Sequence, residues 1–205
     1  MTTTDGRATS LQDRVMKILT SPKTEWPVIE AESTDVATLY KSYIMILAAI
    51  PAVCSFIGVS VFGVSIPFVG TIRTPVMTAF VQMILSYALN LATVYIAALV
   101  IDKLAPTFES KPSLIQALKL VAYASTAGWV AGVLNIIPAL GLLGLLAAIY
   151  GIYLFYLGLP VLMKTPEAKV IPYMVISAIV IIVLWFVAAM ITGTLAGAGA
   201  VATTL

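Results

Sequence analysis

Apolar residues in this chain run on in long blocks instead of alternating with polar ones. Five blocks stand out, at roughly Tyr43 to Phe62, Pro75 to Ile101, Leu118 to Ile137, Leu140 to Leu162 and Pro172 to Ile191. A helix needs roughly 20 mostly apolar residues to cross about 30 Å of hydrocarbon, so the pattern predicts an all-α polytopic membrane protein, a bundle of five transmembrane helices. The third and fourth blocks nearly merge, and Leu118 to Leu162 is too long for one helix. The break is predicted at Asn135-Ile-Ile-Pro-Ala-Leu-Gly-Leu-Leu-Gly144, where Pro138 removes a backbone donor and Gly141 tolerates a reversal. A tight helical hairpin follows, at or just inside the outer membrane surface, with its freed backbone groups satisfied within protein.

The segment before the first block has a different period. Ser10 and Asp13 are spaced as a capping pair and Pro22 reads as a stop, with Leu11, Val15, Ile18 and Leu19 sharing one face of the helix between them. Asp13, Arg14 and Lys17 are read as lying off that face. This predicts a short amphipathic helix, either on the cytoplasmic membrane surface or docked to the bundle. Trp26-Pro27 reads as an interfacial anchor. The expected organisation is a cytoplasmic N-terminal segment over residues 1–40, a five-span domain over 41–193 and an uncharged tail over 194–205. Within that tail, Gly193 to Ala200 either extends the fifth helix or frays.

Composition sharpens this picture. The chain has 205 residues, 61% hydrophobic and 10% charged, with a mean hydropathy of +1.07; an ordinary soluble domain is about 25% charged. Its opening residues lack the order of basic segment, apolar core and cleavage site, so no cleavable signal peptide is expected. Of the eleven Lys and Arg residues, Arg7, Arg14, Lys17, Lys23, Lys41, Lys103, Lys111, Lys119, Lys164 and Lys169 fall on one side of the predicted topology and only Arg73 on the other. Basic residues near span ends are retained in the cytoplasm, which places the N-terminus inside and the C-terminus outside. A net charge of +2 is too small for nucleic-acid binding. With no His and one Cys, no disulfide framework or metal site is expected, and no cofactor. Cys54 reads as a packing residue.

The spans offer little chemistry. Arg73, Asp102 and Lys119 fall at predicted span ends, where long side chains reach the interface. Neither a mid-membrane carboxylate pair nor a Ser/His dyad is available, so no enzymatic activity is expected and no catalytic residue is assigned. What remains is a polar stripe on the second span, where Gln82, Ser86, Asn90 and Thr93 share a helix face, with Asn135 nearby in the expected fold. That face should point into the bundle, toward Asn135, Ser125 or the tyrosines of the third and fourth spans. Two readings stand: interhelical hydrogen-bond glue, or the lining of a polar cavity. Gly128 and Gly132 form a small-xxx-small pair suited to close packing, within the chain or in self-association. Tyr150, Tyr153 and Tyr156 read as an aromatic belt.

Several stretches together resemble the Yip family, membrane proteins named for interacting with Ypt/Rab GTPases, and specifically its bacterial branch. They are Ile18-Leu-Thr-Ser-Pro-Lys-Thr-Glu-Trp26, Tyr123 and Trp129, Ile137-Pro-Ala-Leu-Gly141, Tyr150, Tyr153, Tyr156-Leu-Gly-Leu-Pro160 and Met163-Lys-Thr-Pro166. The resemblance implies five spans, a cytoplasmic N-terminus and an inner membrane location. Eukaryotic members carry an Asp-Leu-Tyr-Gly-Pro element and bind GTPases; this chain lacks the element, and that activity is not carried over. The expected function is a non-enzymatic organiser that binds lipid or partner membrane proteins. The alternative is a carrier or scramblase for a lipid or small polar solute along the second-span stripe. Expected partners are the lipid bilayer, with other membrane proteins or a second copy left open.

Overall fold

The structure, a computed structural model, describes residues 10–66, 68 and 70–202, without the side chains of Ile66 and residues 194–202. Arg7 and the last residues of the expected tail lie outside the described residues. Two short helices, α1 (Leu11–Thr20) and α2 (Pro22–Ala31), precede five helical spans: Val36–Phe62, Val76–Phe108, Leu114–Ile136, Pro138–Leu162 and Glu167–Gly193. The helix of the fifth span continues to Ala202, so the expected tail begins as its extension. A two-stranded ribbon, Val64–Ile66 paired antiparallel with Gly70–Ile72, joins the first two spans; the pattern had not suggested it. Asp35 caps the first span, accepting from the Thr38 backbone amide at 2.8 Å and from its hydroxyl at 3.0 Å. These bonds, the backbone one first, hold the carboxyl below its ordinary range.

The third span is the centre of the bundle. In its most apolar window 67% of residues are buried, against 6% for the fifth span, whose Ile171, Val175, Ile179, Ile182 and Phe186 face outward. In lipid such faces need no cover, because acyl chains are as apolar as leucine.

The N-terminal helices belong to the same core, and this corrects two expectations. Trp26 is fully buried instead of anchoring at the interface. Its ring meets Tyr123 edge-on at 6.3 Å and lies against Gly158, where a side chain would stand only 2.7 Å from the indole. Arg14 is likewise buried, not turned away. It shares a face with Leu11 and Ile18 at helical spacing and reaches Glu25 and Glu32 on α2.

Bundle residues grip the last carbonyls of both short helices, the groups a helix leaves unsatisfied. Tyr150 donates to the Leu19 carbonyl at 2.7 Å, so it is more than a belt residue. Tyr153 and Tyr156 stay exposed. Gln116 donates to the Glu30 carbonyl at 3.1 Å, and Lys119 to the Ile29 and Glu32 carbonyls at 2.7 and 2.6 Å. Lys119 was expected to reach the interface. The third helix starts at Leu114, earlier than the apolar pattern suggested, so Lys119 sits a full turn inside it and is 2% exposed. Of the two placements left open for the N-terminal helix, the structure takes docking. Lys164 pairs with Glu30 at 3.0 Å and Lys169 with Glu109 at 3.5 Å. The Lys111 amide bonds the Met163 carbonyl at 2.8 Å, which brings the loops rich in basic residues together at this end.

At the opposite end the hairpin forms, but not through Gly141. The third span tightens to 3-10 geometry over Gly132–Ile136, Ile137 is extended (φ −112°, ψ 100°), and a second 3-10 stretch runs Pro138–Leu143. The reversal therefore rests on Ile137-Pro138, since a residue before proline is pushed toward extended backbone. Gly141 keeps an ordinary φ and has no atom near its missing side chain. The Ile137 and Leu140 amides find the Leu134 and Ile137 carbonyls at 3.0 and 2.8 Å, so the turn satisfies part of its own backbone.

Candidate functional site: a polar groove between the second and fifth spans

The second span presents two faces to its neighbours. Tyr87 donates to the Met45 carbonyl at 3.0 Å, and Leu91 accepts from Tyr40 at 2.8 Å, which ties one face to the first span; Val94 and Ala98, both buried, continue it. Gln82, Ser86, Asn90 and Thr93 form the other, all four half-buried, and at helical spacing the buried Ala97 and Ile101 continue their line. This last face lines a groove of about 480 Å³ with Leu89 and, across from it, Trp185, Ala188, Ala189, Thr192 and Gly193 of the fifth span.

The stripe thus turns toward the fifth span, not toward Asn135, Ser125 or the tyrosines as the sequence reading had it. Helical spacing shows which residues share a face, not which neighbour that face meets. Asn135 lies in the hairpin, where its backbone carbonyl abuts Gly58 of the first span, and the structure does not bring it to the groove. The glycine pair also separates. A side chain at Gly132 would stand 2.6 Å from Pro51, whereas Gly128 is exposed and has open space.

Within the groove the hydroxyls and amides differ. Ser86 donates to the Met83 carbonyl at 3.0 Å and Thr192 to the Ala188 carbonyl at 2.8 Å, so both are satisfied by their own helices. The side-chain amides of Gln82 and Asn90 make no hydrogen bond among the described residues, and no charged residue lines the groove. At 1.5 Å per residue, the stripe runs from about 9 Å to about 26 Å along the helix from Val76. Beyond Thr93 the interface closes. Val94, Ala97, Ala98, Ile101, Tyr173 and Ser177 are all buried, and the Tyr173 hydroxyl donates to the Ile101 carbonyl. The groove is open sideways and shut toward the end that carries α1 and α2.

A second polar constellation, missed in the sequence, joins that end. Arg14, Glu25 and Lys119 are buried and Glu32 is part-exposed. The Arg14 guanidinium lies over the Tyr123 ring at 5.9 Å, and Tyr123 stacks at a tilt on Tyr43, whose hydroxyl pairs with Thr126 at 2.7 Å. Arg14 pairs with both carboxylates and Lys119 donates to backbone carbonyls at the end of α2, an arrangement suited to locking the N-terminal helices. The available signal was the spacing of Arg14 within the apolar face of α1. Among the described residues no group of three or more His, Cys, Asp or Glu could hold a metal ion.

Comparison with known proteins places these features. The Yip1 domain model matches residues 16–190, a range running from the middle of α1 into the fifth span. The chain is 26% identical over 124 residues to the inner membrane protein YohC of Escherichia coli K12, and equally to YohC of Escherichia coli O6:H1, covering 60% of this chain and 64% of each relative. The matched region thus spans less than two thirds of the length of these relatives. No solved structure matches. With the family model covering the second half of α1, all of α2 and the spans as far as Met190, the chain belongs to the Yip1-domain family of membrane proteins.

Proposed function

We propose that this protein is a non-enzymatic organiser of the inner membrane that binds a membrane-embedded partner in the groove between its second and fifth spans. The observation that carries this reading is the shape of the groove: polar and open sideways along the stripe, then packed shut from Val94 to Ile101. A carrier needs a path reachable from both sides, and the buried turns around Tyr173 support the organiser over it. The buried carboxylate Glu25 is already committed to Arg14, which supports a structural over a catalytic role. The basic residues gathered around α1 and α2 support a cytoplasmic N-terminus and a C-terminus on the opposite side. The relatives' description as inner membrane proteins supports that location.

Flux measurements test the reading. Reconstituted into vesicles with fluorescent phospholipid and an entrapped polar dye, the protein is expected to accelerate neither lipid scrambling nor dye release over protein-free vesicles. Acceleration that disappears in folded Asn90→Leu would replace the organiser with a carrier.

A further inference from the structure

We infer that the two-stranded ribbon between the first two spans is a lipid-binding element, which lays its apolar face and the ring of Phe68 into the headgroup layer on the side of the membrane away from α1 and α2. The first span carries the chain from α2 to the hairpin end, where the ribbon stands. A cleft of about 250 Å³, with Val64 and Ser65 on one wall and Ile137 and Pro138 on the other, parts it from the hairpin. Strand side chains alternate between faces. Val64 and Ile72 are cross-strand partners on one face, 43% and 52% exposed. Ser65 and Thr71 share the other, where their hydroxyls pair at 3.0 Å. Arg73 joins this polar side, since Thr71 Cγ2 and Arg73 Cγ lie 2.8 and 2.9 Å from where a Gly63 side chain would begin. It is exposed and makes no ion pair among the described residues. Between the strands, Phe68 takes a φ of 67° and is fully exposed.

A two-stranded ribbon is marginally stable in water by itself, and a bulky residue at positive φ adds strain. The cleft keeps the bundle from supplying all the missing cover. Lipid supplies it. The exposed apolar surface continues on both sides of the ribbon, through Val61 and Phe62 of the first span and Val76, Met77 and Phe80 of the second, and from Ser42 to Ile72 the chain carries no charge. Depth follows from the backbone. The outer edges of a two-stranded ribbon hold unpaired N–H and C=O groups, which hydrocarbon does not tolerate, so the strands stay among the headgroups. Phe68, with no polar atom in its side chain, reaches the acyl boundary. Arg73 then lies at the level of the lipid phosphates, which a guanidinium binds through paired N–H donors.

The test uses the full-length chain in phospholipid vesicles, with its one cysteine, Cys54, replaced by alanine. An environment-sensitive fluorophore is attached at Ile72→Cys on the apolar face or at Thr71→Cys on the polar face, and is quenched by nitroxide-labelled phospholipid or by iodide on both sides of the bilayer. The Ile72→Cys label is expected to be quenched by the lipid nitroxide and protected from iodide, and the Thr71→Cys label to be quenched by iodide. Adding Phe68→Asp, at a fully exposed position, is expected to abolish lipid quenching at Ile72→Cys. Iodide quenching at Ile72→Cys with Phe68 in place would overturn the inference, because the face would then stand in water. Protection from both reagents would overturn it too, by showing protein on that face. Lipid quenching that survives Phe68→Asp would contradict the placement of Phe68 as the anchor.

Discussion

Arg14→Ala is expected to lower the stability of the folded bundle by about 3–5 kcal/mol, the range for removing one partner of a buried ion pair. The cost arises from what stays behind. Glu25 has a side chain only 7% exposed and would remain buried without its cation, whereas Glu32, at 39%, can turn to water. The effect should be localised first. Without Arg14 the α1–α2 segment loses its internal clasp, so Trp26, fully buried beside Gly158 and Leu120, should move to a wetter environment before the spans separate. Denaturation in mixed micelles followed by tryptophan emission reads both effects. Replacing Arg14 and Glu25 together with apolar residues of similar volume should recover most of the loss, as removal of a whole buried pair is often neutral. A change below about 1 kcal/mol for Arg14→Ala, as for an exposed pair, would mean that the segment does not dock.

The second large effect is expected at the opposite end, where the first span meets the hairpin. A side chain at Gly58 would lie 2.1 Å from the Asn135 carbonyl oxygen, and one at Gly132 would lie 2.6 and 2.8 Å from Cβ and Cα of Pro51. Neither obstacle is the end of a flexible side chain, so the backbones must part. Overpacking of this kind costs about 1–3 kcal/mol and occasionally more, and Gly58→Ala and Gly132→Ala should fall in the upper part of that range. Gly128→Ala is the internal control. With open space at that position, it should be neutral or stabilising by up to about 1 kcal/mol, because glycine is the poorer helix former. The same denaturation assay separates the three. Equal losses at Gly128 and Gly132 would show that both glycines face a helix.

The outcome at these sites shows what the sequence made legible. The five spans were readable because each must be long and apolar whatever it packs against, and the structure places helices at all of them. The hairpin was readable from Pro138, but its mechanism was not, because the extended residue is Ile137, set by the proline that follows it. The stripe was visible on the second span from spacing alone. Its neighbour was not, since spacing does not show that the tyrosine ties take another side of the helix to the first span and leave the stripe to the fifth. Lys119, read as reaching the interface, and Arg14, read as lying off the apolar face of α1, are both buried. A charge beside apolar residues looks exposed until the carbonyls and carboxylates that receive it are known. The carbonyls that receive Lys119 lie 90 and 87 residues back in the chain, at Ile29 and Glu32, and the carboxylate that receives Arg14 stands on the next helix, at Glu25.

The most direct test of a groove that binds but does not conduct is collision accessibility along the second span in lipid bilayers. Spin labels would be placed singly at Gln82, Asn90, Ala97 and Ile101 in the Cys54→Ala background and probed with a water-soluble nickel chelate and with oxygen. The account predicts that the chelate reaches neither Asn90 nor any position beyond Thr93, with Ala97 and Ile101 shielded from both reagents. A continuous track of chelate accessibility from Gln82 to Ile101 would contradict it and identify a water-filled path through the bundle.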